Sequence, residues 1–444
     1  MDDGNQAHLG HVKNHGWRVT LAAMGVNLAL GILYTWSVIS KGVPAEWNWS
    51  HTDKSWPYSI ACLVFCLVMV PAGRLQDQLG PRLVATVGGI LVGIGMIVAS
   101  FTTSPAGYIL GFGILAGAGI GFGYAAATPP AVKWFPAART GLIAGIVVSG
   151  FGLASVYAAP LATWLIASYG LQTSVMVLGI AFLVVVVGLA QLLAAPPKGY
   201  VPAGAAKKAA GSRPAADSAP REMLRTPQFY LLWFMYACGA GAGLMIIGKL
   251  SDIGKLQAGV ELGFVLVASL AVGNGAGRIL AGIASDKFGR QQTMFGCFVL
   301  QAVLILLLSR ATEGTTLATT IVLALVSALI GANYGANLSL FPSITKDYYG
   351  LKNFGVNYGL VFTAWGVGGF MLALLAGKLY DKFQTFAYAY YGAATLLAMA
   401  AVTTFLVKPP QVAHETAALA HPPENLDEPA IAGPSEAEEL AETA

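Results

Sequence analysis

Apolar residues gather into twelve stretches separated by short polar breaks. They run approximately 18–40, 56–75, 83–102, 107–131, 140–165 and 172–194, then 228–250, 262–283, 291–310, 317–344, 354–376 and 384–407. Each is about 20 residues or longer, which lets an α-helix cross a hydrocarbon core of about 30 Å. Each must be helical, because backbone N–H and C=O groups in lipid need partners inside the segment. The first stretch is too long for a signal-peptide core, and no small-residue cleavage site follows it. It is therefore read as a retained first membrane helix. The predicted fold class is an all-α membrane protein with twelve transmembrane helices.

The pattern changes between the sixth and seventh stretches. Residues 195–226 carry Pro196, Pro197, Pro202, Pro214 and Pro220 among Lys198, Lys207, Lys208, Arg213, Arg221 and Arg225. This reads as a solvated linker. It divides the chain into a six-helix half over 1–194, a linker over 195–227, a second six-helix half over 228–408 and a tail over 409–444. The tail carries eight acidic residues and no Lys or Arg, a composition expected to stay disordered; an acidic interaction tail is the alternative. His8, His11 and His15 belong to a polar N-terminus.

Basic residues orient the chain. With both termini and the linker on one face, that face carries 17 Lys or Arg and the opposite face 7; Arg278 alone lies inside a span. The bias predicts that the linker and both termini are cytoplasmic and that the protein is a multi-pass protein of the cell membrane. Composition adds exclusions. Apolar residues make up 56% and charged residues 10%, against about 25% charged in soluble domains. An ordinary soluble enzyme, a disulfide scaffold and a nucleic-acid binder are all excluded. Cys62 and Cys66 share a helix face, but no His or carboxylate lies near in sequence to complete a metal site; small buried hydrophobes is the better reading.

The two halves repeat. Gly73-Arg74-Leu75-Gln76-Asp77-Gln78-Leu79-Gly80-Pro81-Arg82 follows the second span, and Gly282-Ile283-Ala284-Ser285-Asp286-Lys287-Phe288-Gly289-Arg290 follows the eighth. The aspartates stand 209 residues apart, Tyr124 and Tyr334 stand 210 apart, and Gly141 and Gly145 pair with Gly355 and Gly359 at 214. A nearly constant offset around a charged linker predicts two pseudo-symmetric six-helix halves. In the repeated loops, Arg74, Asp77, Arg82, Asp286 and Arg290 are candidates for a charge clamp that holds one conformation across a helix interface. Topology determination by positive charge is the alternative.

Twelve spans, two halves and Gly-x-x-x-Asp-x-x-Gly loops resemble the major facilitator superfamily over about residues 18–407. Locally, Asn27-Leu28-Ala29-Leu30-Gly31-Ile32-Leu33-Tyr34-Thr35-Trp36-Ser37, Asn353-Phe354-Gly355-Val356-Asn357-Tyr358-Gly359 and Phe362-Thr363-Ala364-Trp365-Gly366 resemble the oxalate:formate antiporter-like branch. That branch includes bacterial L-lactate transporters and lies near the monocarboxylate porters. The resemblance implies a substrate site between the halves near mid-membrane, and alternating access by rocking of the halves.

Arg278 is the residue most able to carry chemistry. It lies eight residues before Asp286, about 12 Å along a helix axis at 1.5 Å per residue, near the centre of the hydrocarbon core. A guanidinium facing lipid there costs from a few to more than ten kcal/mol. It must face a cavity, snorkel to water or pair with a helix end; its planar fork of donors suits a carboxylate. Asn274 is one turn away on the same face and can hold Arg278 or contact substrate. In the monocarboxylate porters the resembling position is an Asp; here Asn removes the acidic partner. Tyr34, Tyr124 and Tyr334 fall mid-span on helices that resemble the cavity-lining helices of the family. Their hydroxyls could orient a small acid, or their rings could simply pack between helices. Asn337 and Phe362 are further candidates.

No phosphate loop, zinc-ligand cluster or Ser/His/Asp arrangement is present, so no catalytic residues, metal or cofactor are expected. The Gly-rich stretch Gly141–Gly152 has no proline, unlike the multidrug/proton antiporter branch, so lipophilic cations are not the expected substrate. The oxalate antiporter is expected to carry a second basic residue in the eleventh span. Phe362–Gly366 has none. One cation suits one carboxylate. The expected function is secondary transport of small monocarboxylates such as lactate, pyruvate or formate, by proton-coupled symport. An anion exchanger is the alternative, followed by a non-transporting membrane sensor. Asp252, Glu261 and Asp381 are the candidate proton-coupling residues, with gating or structural ion pairs to Lys249 or Lys378 as the other reading. The expected partners are a monocarboxylate, protons and the bilayer; oligomeric state is not readable from the residues.

Overall fold

Each predicted span is helical in the structure, a computed structural model that describes residues 14–136, 139–197, 200, 202, 217–350 and 353–410. The described residues up to Lys408 form one compact unit. The acidic tail beyond Pro410, together with His8, His11, Lys207, Lys208 and Arg213, lies outside the described residues.

Among the described residues, ten helices are long and apolar enough to cross a membrane. One of them is two spans joined end to end, because Gly170 breaks Thr140–Ala190 with φ 76° and ψ 169°. A shorter apolar helix, Ala387–Thr403, follows the last of the ten. The crossing elements are therefore α1 (Gly16–Lys41), α2 (His51–Leu79), α3 (Pro81–Ser100), α4 (Pro105–Lys133), α5 (140–169) and α6 (171–190). Then follow α7 (Pro227–Gln257), α8 (Gly263–Phe288), α9 (Arg290–Leu308), α10 (Thr320–Tyr349), α11 (Phe354–Phe383) and α12 (Ala387–Thr403). Local signals set some of the starts. Ser50 Oγ accepts from the Asp53 N–H at 3.0 Å while the Asp53 carboxylate accepts from the Ser50 N–H at 3.0 Å, a reciprocal cap that begins α2.

The sequence repeat is also a conformational repeat. Gly80 closes α2 at φ 85°, ψ 159°, and Gly289 closes α8 at φ 92°, ψ 155°. Each donates its N–H back four residues, to Gln76 O at 3.0 Å and Ser285 O at 3.1 Å. Only glycine takes such a φ without strain, so the second Gly of each motif is a turn requirement. The charges beside it reach neighbouring helices. Asp77 meets Lys133 at the end of α4, at 3.6 Å. Arg74 and Arg82 are exposed and in no ion pair among the described residues. In the second half, Arg290 pairs with Asp286 at 2.7 Å and with Asp347 of α10 at 3.0 Å. In this conformation both clusters therefore tie helices within one half.

Two features place the centre of the molecule. The helices α8 and α10 meet backbone to backbone along two glycine pairs. A Cβ on Gly273 or Gly277 would fall on the carbonyl oxygen of Ala328 or Ala332. A Cβ on Gly331 or Gly335 would fall on that of Leu270 or Asn274. This contact fixes Asn274 and, one turn on, Arg278. Across the halves, α2 packs on α11 and α5 on α8. Cys62 and Cys66 are fully buried in the first of these seams, where Gly366 and Gly369 make room for their sulfurs. They serve as small packing residues.

Candidate functional site

Arg278 is buried, with 6% of its surface exposed. Its Nη1 donates to the Val148 carbonyl of α5 at 2.7 Å, and its Nε to Asn274 Oδ1 at 3.2 Å. The guanidinium thus bridges the two halves, held only by neutral acceptors. Gly152 lies against the guanidinium, close enough that a Cβ there would touch three of its atoms at 3.4 Å. Two donors remain without partners: Arg278 Nη2 and Asn274 Nδ2 are buried and unbonded. Leaving a buried charged donor unpaired costs at least about 1–3 kcal/mol. An acceptor with two oxygens has the valence to satisfy both.

An aromatic enclosure surrounds these donors. Tyr34, Tyr124 and Tyr334 all lie within electrostatic reach of Arg278. The Tyr34 and Tyr334 hydroxyls, from opposite halves, hydrogen-bond at 2.6 Å, and Trp365 Nε1 donates to the Tyr334 hydroxyl at 2.8 Å. Tyr124 stacks on Phe362 with ring centres 6.4 Å apart, and Phe362 stacks on Trp365 at 5.1 Å. Phe151 packs against Tyr34 and Tyr124, and Phe65 against Phe151, Phe362 and Trp365. Six of the seven binding candidates therefore come together. Asn337 stands apart: its amide donates to Asn333 O of its own helix at 3.1 Å, and its carbonyl faces Gly239 of α7. Sequence reasoning passed over Phe65, Phe151 and Gly152. Trp365 lies inside a motif it had marked, but Phe65 carries no local signal at all.

The second polar cluster lies where α1 meets α2, here termed the His51 end. Asp381 of α11 accepts from the His51 N–H at 2.9 Å, the Thr52 N–H at 2.7 Å and the Thr52 hydroxyl. It thereby caps a helix of the other half. Lys249 of α7, 2% exposed, donates to the His51 carbonyl at 3.0 Å. Asp252 is buried, with Oδ2 3.7 Å from His51 Nδ1. Tyr58 donates to Leu244 O at 3.1 Å nearby. Glu261 is exposed between Lys41 at 3.4 Å and Lys255 at 3.5 Å. The Lys41 hydrogen bond and charge, with help from Lys255, hold its carboxyl below the usual range. Two expectations are corrected here. Lys378 is exposed and forms no ion pair with Asp381 among the described residues, because Asp381 is turned into the α2 N-terminus. Arg278 is also not the lone buried cation, since Lys249 is buried more deeply.

The family model of the major facilitator superfamily matches residues 19–251 and 251–433. An uncharacterised MFS-type transporter of Escherichia coli (strain K12), YhjX, is 26% identical over 356 residues, 79% of this chain and 85% of that one. The oxalate:formate antiporter of Oxalobacter formigenes is 27% identical over 359 residues, 80% of this chain and 82% of that one. Monocarboxylate transporter 13 of Rattus norvegicus is 32% identical over 155 residues, 35% of this chain and 36% of that one. Among solved structures, a bacterial homologue of the human lysosomal transporter Spinster, inward-facing and unoccupied, superposes with TM-score 0.66 at 16% identity. It covers 89% of this chain and 97% of that one.

Proposed function

The chain belongs to the major facilitator superfamily, and from this premise we propose that it falls in the oxalate:formate antiporter-like branch and carries small monocarboxylates by proton-coupled symport. The observation that carries the reading is the pair of unbonded donors, Arg278 Nη2 and Asn274 Nδ2, inside an aromatic enclosure. A carboxylate has two oxygens in one plane and supplies the missing acceptors. Tyr34, Tyr124, Tyr334 and Phe362 then bound the space for a short organic tail, while Asn337 acts on helix packing. In this reading the two halves, 1–194 and 228–408, rock about that site. The linker end is cytoplasmic and the His51 end faces outward, in the cell membrane, as the basic-residue bias predicts.

Lactate, pyruvate and formate fit better than oxalate. A second carboxylate would meet Phe362 and Trp365 rather than a second cation. Proton coupling follows from charge. Only neutral acceptors hold Arg278, so a carrier that returns empty moves an unbalanced buried charge, which a titrating carboxylate at the His51 end offsets. Asp252, buried beside Lys249, is the favoured carrier of that proton; Asp381 and Glu261 are already committed to a helix cap and to exposed lysines. Uptake of labelled lactate into proteoliposomes without internal substrate is the test. An inward proton gradient should drive accumulation and a protonophore should abolish it. Uptake only into vesicles preloaded with carboxylate, indifferent to the gradient, would establish an exchanger.

A further inference from the structure

Two buried polar atoms at the His51 end face each other without a bond. His51 Nδ1 and Asp252 Oδ2 both lack a partner and lie 3.7 Å apart, on α2 and α7 and so on opposite halves. Three of the charged groups around the imidazole are committed elsewhere. Asp381 holds the His51 and Thr52 N–H groups. Lys249 holds the His51 carbonyl. On its own helix, Asp53 caps the Ser50 N–H, and Lys54 is near enough to act on Asp252. The Tyr380 ring packs on the imidazole at 4.3 Å and fixes its plane. A neutral histidine with its one ring proton on Nε2 leaves this gap as it is, whereas the imidazolium carries a proton on both nitrogens. A proton on Nδ1 converts it into a charge-assisted hydrogen bond between the halves.

We propose that His51 is a sensor of external pH, whose protonation latches the outer gate shut against Asp252. This rests on the orientation and alternating access proposed above, and it deepens them. When the outer side is open the two groups are apart and the pair cannot form; histidine is the side chain whose charge ordinarily changes near physiological pH. Closure then favours the protonated form, so by linkage acid favours closure. The latch lasts only while the imidazole is charged. The latch needs Asp252 ionised, so it forms in the part of the cycle in which Asp252 does not hold the transported proton, and its own proton sits on His51. It is therefore a regulatory proton, distinct from the one transported.

The test needs no substrate. Spin labels at Thr103→Cys and Thr316→Cys, exposed positions on α3–α4 and α9–α10 loops at the His51 end, report outer-gate distance in the full chain in nanodiscs. Lowering the pH from 8.0 to 5.5 should raise the closed-to-open ratio by at least about tenfold, as one hydrogen bond to a charged group allows. His51→Gln and Asp252→Asn should each lose that response, while His51→Lys should stay closed at both pH values. A response that survives in His51→Gln, or a wild type with none, overturns the proposal. Loss of lactate uptake with the pH response intact would remove the substrate reading and leave the sensor standing.

Discussion

Replacing Arg278 with lysine keeps the charge and removes the fork. The native guanidinium uses Nη1 on the Val148 carbonyl and Nε on Asn274 Oδ1, which leaves Nη2 for substrate. A lysine has one nitrogen. It can stay with the α5 carbonyl or reach a bound carboxylate, but not in the same geometry. Asn274 also loses the bond that aims its unbonded Nδ2. The substrate complex thus loses one charge-assisted hydrogen bond and the preorganisation of a second. At about 1.5–3 kcal/mol for a bond to a charged group, affinity should fall about 10- to 100-fold in Arg278→Lys. In Arg278→Gln, which has no charge, binding should be undetectable. Calorimetric titration with lactate measures the first, and proteoliposome uptake the consequence. Monodisperse elution and an unchanged melting temperature would show that the fold is intact. Half-saturation within twofold of wild type in the lysine variant would refute the placement of Arg278 at the site.

Oxalate should bind less tightly than lactate or formate, and tight oxalate binding with negligible lactate transport would overturn the one-cation argument. Gly277→Ala should lower stability by about 1–3 kcal/mol through overpacking, because its Cβ falls on the Ala332 carbonyl. The control Gly282→Ala, with open space over its Cα, should melt like wild type. Glu261→Gln should leave the pH profile of uptake unchanged between pH 6 and 8. With its carboxyl held below the usual range by Lys41, any stabilisation it gives is fully present above that range and lost only as pH falls through the lowered value. A displaced profile near neutrality would return Glu261 to the candidates for proton coupling.

The apolar pattern made the helices legible because lipid leaves a spanning backbone no other choice. It also located Arg278, since a charge amid twenty apolar residues stands out. The partners of that charge were not legible. Val148 contributes a carbonyl, which every residue has. Phe65 and Phe151 look like any buried phenylalanine until α2 and α5 meet α11. The repeated loops show a different limit. Their glycines were readable as turn residues, but the partners of Asp77 and Arg290 come from the ends of α4 and α10, more than fifty residues away.

Lys249 shows why counting charges along a chain misreads some of them. Its position near the end of α7 placed it among orienting residues, yet it is buried and donates across the halves to the His51 carbonyl. The molecule thus holds two buried cations at different depths. Arg278 has neutral partners, and its own Nη2 and the neighbouring Asn274 Nδ2 are unused, the place where the proposed anion binds. Lys249 has Asp252 close by in its own helix, a charge partner supplied by the chain. In the proposed cycle, substrate neutralises the first cation, while the second keeps its partner ionised until a proton arrives. This division predicts that Asp252→Asn and Arg278→Gln fail differently. Asp252→Asn should still exchange lactate between loaded vesicles but lose gradient-driven accumulation. Arg278→Gln should lose both. Equal loss of exchange and accumulation in Asp252→Asn would show that the two cations do not act separately, and the coupling assigned to Asp252 would fall.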